Sequence, residues 1–184
     1  MIFAMSDEIK SSMRKIRDNL WVAHKNKLII KRLMGEVNFS VPYQNLIKHV
    51  YISLIHESII VICRVHQGDN KKTFLSVFKK LQIISDSNTV FDLYNDYKSF
   101  RSSEEISKVK DFRDAYLAHS ANDNNLENKY KIDNLYLSVI FNALTETTEY
   151  FERLNALPEC KVDNNFQLNE FEQELDILIR KIKD

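Results

Sequence analysis

Ile59-Ile60-Val61-Ile62-Cys63 is the stretch on which the fold turns. Read alone, this mostly β-branched run suits a buried strand, because branched side chains pack well on a pleated surface. Read with its neighbours, it closes an apolar segment from Tyr43 to His66, and no turn signal separates it from Pro42. A segment that long exceeds an ordinary strand and suits a central helix covered on several sides. The chain is therefore expected to be all-α.

The segments on either side agree. Only Gly35, Gly68, Pro42 and Pro158 punctuate 184 residues, which favours long helices over a turn-rich β fold. Ahead of the central segment, Ile9, Met13, Ile16, Leu20, Ala23, Ile30 and Met34 recur at helical spacing, with Lys27 as the misfit. Ser6 is placed to cap that helix ahead of Asp7 and Glu8, and Gly35 to stop it. Ser40 and Pro42 can open the next.

After the loop Gln67-Gly68-Asp69-Asn70, Thr73 can cap a short helix with Phe74, Val77, Phe78, Leu81 and Ile84 on one face. Ser85-Asp86-Ser87-Asn88 ends it, and Val90, Phe91, Tyr94, Tyr97 and Phe100 mark another. Ser102 with Glu105 matches a capping box opening a helix through Ile106, Val109, Phe112 and Tyr116. Beyond the polar loop Asn122-Asp123-Asn124-Asn125, a long helix from near Asp133 turns Leu137, Ile140, Leu144, Phe151 and Leu154 inward and ends before Pro158. Leu168, Phe171, Leu175, Leu178 and Ile182 then form an amphipathic stripe, which could pack on the bundle or on a second subunit. The expectation is one domain over residues 1–184, a bundle of six to seven helices with a core over roughly 6–157 and a last helix over roughly 166–183.

Composition narrows the function. Charges balance at 26 basic against 26 acidic, so no global field steers the protein to nucleic acid and any anion site must be local. Cys63 and Cys160 are too few for a disulfide framework or a four-thiolate metal site, and read as reduced, buried thiols. The N-terminus lacks the basic and apolar regions of a secretory signal. The most apolar window, Val50 to Val65, is broken by Ser53, His56, Glu57 and Ser58 and falls short of the ~18 residues of a span, so the expected location is the cytoplasm, away from membranes. Two glycines cannot build a phosphate-cradling loop or a nucleophile elbow.

Chemistry concentrates in Arg113-Asp114-Ala115-Tyr116-Leu117-Ala118-His119. Arginine presents a fixed fork of donors that fits phosphate oxygens, and histidine titrates near neutral pH. On a helix Phe112, Tyr116 and His119 fall within about 60° of one another, with Arg113 at the edge of that face. The pattern also fits a structural pair: an inward histidine, and an arginine bound to Asp111, Asp114 or Glu105.

These residues resemble the Arg-polar-x(4–6)-His motif of the HEPN superfamily, with Asp114 in the polar place. Their surroundings look like its abortive-infection AbiU-type branch, including an upstream helix ending Ile62-Cys63-Arg64-Val65 ahead of Gly68-Asp69. The resemblance spans roughly residues 15–155 and is carried by about ten of them. It implies a HEPN-like bundle acting as a metal-independent endoribonuclease in toxin–antitoxin or phage-defence biology. Arg113 would hold the scissile phosphate, Asp114 would orient the site, and His119 would transfer protons. A homodimer would bring two motifs into one cleft, RNA would be the substrate, and a cognate antitoxin would be a further partner; no cofactor is implied. Tyrosine two residues after the histidine, which adenylylated members carry, is replaced by Ala121; Tyr116 and Tyr130 are the stand-ins available, and adenylylation of this chain is not expected.

Further RNA contacts are expected from Arg64, Lys110 and Tyr116. His66 is placed like Arg64, to line the cleft or to serve the end of its helix, and Lys98, Arg101, Lys129 and Lys131 could extend the path. Arg64 could equally pair with Asp69, and Lys108, Lys110 and Arg113 could form a solvated mixed face with Glu104, Glu105, Asp111 and Asp114. His49 and His56 lack a third metal ligand, and His24 reads as structural. The alternative function is a noncatalytic helical module that binds RNA or a nucleotide, or a plain interaction protein of the same fold.

Overall fold

The computed structural model describes residues 2–36, 44–68, 72–85, 87–120, 134–164 and 168–183. Among them lie seven helices and no strand: α1 (Ile2–Glu36), α2 (Gln44–His66), α3 (Phe74–Ile84), α4 (Asn88–Arg101), α5 (Glu104–Ser120), α6 (Asn134–Asn155) and α7 (Leu168–Lys183). The Ile59–Cys63 run is helical. Ile55, Ile59, Val61, Ile62, Cys63 and Val65 are buried, so α2 is covered on several sides, by α1, α5 and α6. Leu46–His66, with a mean hydropathy of 1.6, is by length and composition long and apolar enough to cross a membrane. The apolar stretch thus runs to 21 residues, longer than the window from Val50 to Val65. In this fold the second half of that helix is core.

Helix α1 buries Ile9, Met13, Ile16, Leu20, Ala23 and Ile30, as the spacing requires. It begins at Ile2 rather than Ser6, because Ile2–Met5 contain nothing that opposes a helix, and it continues one residue past Gly35. Lys27 is accommodated by snorkelling: its ammonium reaches Thr145 Oγ1 at 3.4 Å and lies 5.3 Å from the Phe141 ring. Met34, the last residue of the stripe, is exposed; the Tyr51 hydroxyl donates to its sulfur at 3.5 Å.

Thr73 caps α3 in a reciprocal box with Ser76, each side chain accepting from the other's backbone N–H. Ser87 caps α4, where Leu93 joins Val90 and Tyr97 in the core while Phe91 stays outside. The cap of α5 sits one residue later than the Ser102–Glu105 spacing suggests. Ser103 Oγ accepts from the Ile106 N–H at 3.4 Å, while Ser102 closes α4.

A buried aromatic cluster joins α3, α4 and α6: Phe78 packs 5.3 Å from Tyr97, Tyr97 lies 5.4 Å from Tyr150, and the Tyr150 hydroxyl donates to the Leu93 carbonyl. After α6, Asn155 clips the chain back on itself, its Nδ2 donating to the Val162 carbonyl at 3.1 Å and its Oδ1 accepting from the Val162 N–H at 2.8 Å. That clip sets Cys160 and Val162 in the core.

Helix α7 then docks on α1 of the same chain. Leu175 and Ile179 are buried, and Arg32 reaches Glu172 and Asp176 at 3.3 and 3.1 Å. Leu178, expected on the inner stripe, is exposed, and Ile179 takes its place. The expected features at Ser40, Pro42, Asp69, Asn70 and Asn122–Asn125 lie outside the described residues.

Candidate functional site

Helix α5 crosses α2 and α6 with Ile106 and Val109 buried, and this packing sets the rotation of the residues that follow. Arg113 lies on the flank so defined, its side chain about a quarter exposed. Its Nε donates to Asp114 Oδ1 at 2.8 Å, and its NH2 group reaches the same oxygen at 2.6 Å. Asp114 itself is exposed. The hydrogen bond from Arg113 raises the pKa of the guanidinium above its already high value. Two donors are used on Asp114, leaving the others of the fork for a further anion.

His119 and Tyr116 lie on the last two turns of α5, but their side chains fall outside the described residues. Lys129, Tyr130, Lys131 and Ala121 do so as well.

Lys110, one turn before Arg113, points toward the α4–α5 corner. Its ammonium donates to the Arg101 carbonyl, the last of α4, at 2.9 Å. Burial lowers its pKa, and the positive charges of Arg101 and Arg113 add to that. Arg101 in turn lies over the loop after α2: one guanidinium nitrogen is 3.4 Å from where a Cβ on Gly68 would stand. Lys108 does not share this cluster but pairs with Glu104 at 2.5 Å on the exposed side. The stretch is thus divided between a mixed outer face and an inward cationic one. Lys98 is placed apart, its ammonium 4.3 Å from the Tyr94 ring.

Arg64 is exposed on the final turn and a half of α2, and its carbonyl accepts from the Gln67 N–H at 3.4 Å. Cys63 is buried beneath the cluster. Its thiol donates to the Val109 carbonyl at 3.7 Å, and burial pushes its pKa up to about 11 despite the nearby Arg113 and Lys110.

His66 does not line a cleft. It is fully buried, its Nε2 3.1 Å from Thr147 Oγ1 and its Nδ1 3.4 Å from the Tyr97 hydroxyl, with the Phe74 and Phe100 rings within 5.4 Å. Burial, then the charges of Lys110 and Arg101, lower its pKa to about 3, so it is a neutral core residue. The helical period puts it on the same inward face as Ile59 and Ile62, a signal that sequence reasoning passed over. His24 is also structural, sharing a hydrogen bond of 2.9 Å with Thr148 Oγ1. Among the described residues no group of three or more His, Cys, Asp or Glu side chains could hold a metal ion.

Comparison of the chain with protein-family models, with curated proteins and with solved structures finds no match.

Proposed function

We propose that this protein is a HEPN-like, metal-independent endoribonuclease that works as a homodimer in the cytoplasm. The observation that carries the reading is the Arg113–Asp114 pair on the flank of α5, fewer than two turns ahead of His119 on the same helix. Arg113 holds the scissile phosphate and the charge that grows on it. His119 takes the proton of the 2′-hydroxyl, whose oxygen attacks phosphorus, and the histidine of the partner subunit protonates the departing 5′-oxygen. The products are a 2′,3′-cyclic phosphate and a 5′-hydroxyl. Proton transfer of this kind is worth ~10²–10⁴-fold. Asp114 orients the guanidinium, while Arg64, Lys110 and Tyr116 supply further RNA contacts.

The test is RNA incubated with purified protein in excess EDTA. Wild type should leave 2′,3′-cyclic ends, and DNA should resist because it lacks the attacking hydroxyl. Arg113→Ala and His119→Ala should each abolish cutting with melting temperatures within a few degrees of wild type. Activity that survives in either variant, or that needs added magnesium, overturns the mechanism. A second reading, RNA held but not cut, is favoured by one feature: Arg101, Lys110 and Arg113 cluster on and beside α5, a cationic surface that needs no proton transfer to hold a phosphate. Binding without fragments, lost in Arg113→Ala, would decide for it.

A further inference from the structure

Several cations on this surface are matched with carboxylates: Arg17 with Asp18, Arg32 with Glu172 and Asp176, Lys80 with Glu8, Lys108 with Glu104 and Arg153 with Asp96. Arg101 and Lys110 are not among them, and they lie beside one another at the α4–α5 corner. Among the described residues neither is in an ion pair, and the influence of Asp111 on Lys110 is smaller than that of Arg101 or of Arg113. Lys110 is nonetheless fixed, because its ammonium is tied to the Arg101 carbonyl. Two donors of that ammonium remain for another acceptor. The Arg101 guanidinium lies over Gly68, 3.4 Å from where a Cβ would stand, and the missing side chain leaves it room beside the backbone. Like charges held together without counter-charges cost stability in the free protein, and an arriving polyanion relieves that cost.

We propose that Arg101 and Lys110 form a second phosphate site, next to the one at Arg113, which engages the adjoining phosphodiester of a single-stranded polynucleotide. Lys110 and Arg113 stand three residues apart on α5, so their side chains rise from neighbouring positions on one face. The Lys110–Arg101 link carries the positive surface from there across the α4–α5 corner toward Gly68. A strand laid along this line places one phosphate at Arg113 and the next at Lys110 and Arg101. The site sets the path and the register of the strand, because contacts to the backbone position a nucleic acid without reading its bases. The inference rests on the RNA reading of the cleft, but it concerns binding, whether or not the strand is cut.

The experiment measures binding of a fluorescein-labelled single-stranded oligonucleotide in its uncleavable 2′-deoxy form, by anisotropy in EDTA over a series of salt concentrations. Each phosphate neutralised on a single strand contributes about −0.7 to the slope of log K against log salt. The Arg101→Gln/Lys110→Gln double variant should lose about 0.7 of that slope, and Arg113→Gln should lose a similar amount separately. Lys108→Gln, which removes a cation already paired, should leave the slope unchanged. Lys110→Arg and Arg101→Lys keep the charge and should retain most of the slope, which separates charge from a folding defect. An unchanged slope in the double variant, or a wild type that does not bind, overturns the second site. Cutting of RNA by wild type together with an unchanged slope leaves the endoribonuclease standing without this site. A lost slope in a protein that never cuts RNA leaves the site standing without the nuclease.

Discussion

Replacing His66 by glutamine should flatten the fall of this protein's stability in mild acid. Folded, the imidazole is neutral, its pKa lowered to about 3 by burial first and then by Lys110 and Arg101. Unfolded, it returns to ~6.5. Between those values the unfolded chain binds a proton that the folded one does not. Stability is therefore unaffected above about pH 7 and declines below 6.5 by ~1.4 kcal/mol per pH unit. From pH 7.5 to 5 the integrated loss is about 2 kcal/mol, a large part of a total of ~5–15 kcal/mol. His24, lowered to about 4 by burial and then by Lys27, acts in the same direction, so wild type should fall by more than His66 alone accounts for. Urea unfolding followed by far-UV circular dichroism at pH 7.5, 6.5, 5.75 and 5 gives the two curves. His66→Gln loses hydrogen bonds to Thr147 or Tyr97 and starts lower, by ~1 kcal/mol. The curves should then meet at pH ~5.8 and cross, leaving wild type below the variant by ~1 kcal/mol at pH 5. Curves that stay parallel over this range would refute the account of His66 as a neutral, buried base.

The remaining predictions concern the helix caps, the core and the site. Ser103→Ala should cost ~1 kcal/mol in a denaturant titration, and Ser102→Ala clearly less, because the Ser103 hydroxyl accepts from the Ile106 N–H. Phe78→Ala removes a fully buried ring packed on Tyr94, Tyr97 and Tyr150 and should cost about 3–5 kcal/mol; a loss under ~1 would contradict the packing. Cys63, whose thiol is buried and pushed up to about 11, should react with iodoacetamide at pH 8 far more slowly in native protein than in urea-unfolded protein. Asp114→Asn should change stability by less than ~1 kcal/mol, since its pair with Arg113 is solvent-exposed, yet reduce RNA cleavage. A melting drop like that of Phe78→Ala would make the pair structural instead.

Most of the fold is legible along the chain because helical periodicity is a local property. Seven spaced apolar residues define α1, and six of them are buried; only Met34, where the helix runs past the bundle's covered part, is not. Leu93 and Ile179 were passed over for Phe91 and Leu178, because neighbouring apolar residues on a helix compete for one inward position and tertiary packing decides between them. The Ser102 cap slipped by one residue for a similar reason, since two adjacent serines offer the same chemistry. At the site, Arg113 and Asp114 are adjacent in sequence, and their pairing is a local event. The convergence of Lys110, Arg101 and Gly68 is not. It depends on how the α4–α5 corner folds across the end of α2, which no spacing rule encodes. For His66 the sequence leaves both a cleft and a structural role open, because its neighbour Arg64 is exposed and two residues on a helix differ by 200° in direction.

The double hydrogen bond between Asn155 and Val162 also determines how the molecule comes apart. A side-chain amide that both gives to and takes from one backbone residue closes the intervening chain into a ring, as a paired strand would. Beyond Val162, the chain is held on α1 by two buried aliphatic residues, by ion pairs open to water, by an exposed hydrogen bond from Arg17 to the Asp163 carbonyl and by Lys25 over the Phe171 ring. That last helix can peel away as a unit of its own, at a fraction of the free energy needed to open the bundle. The peeling stops at the ring, because going further would draw Cys160 and Val162 out of the core. The chain thus has a preset tear line. Amide hydrogens of α7 should exchange with solvent well ahead of those of α1 beneath it, with the break in protection falling just after Val162.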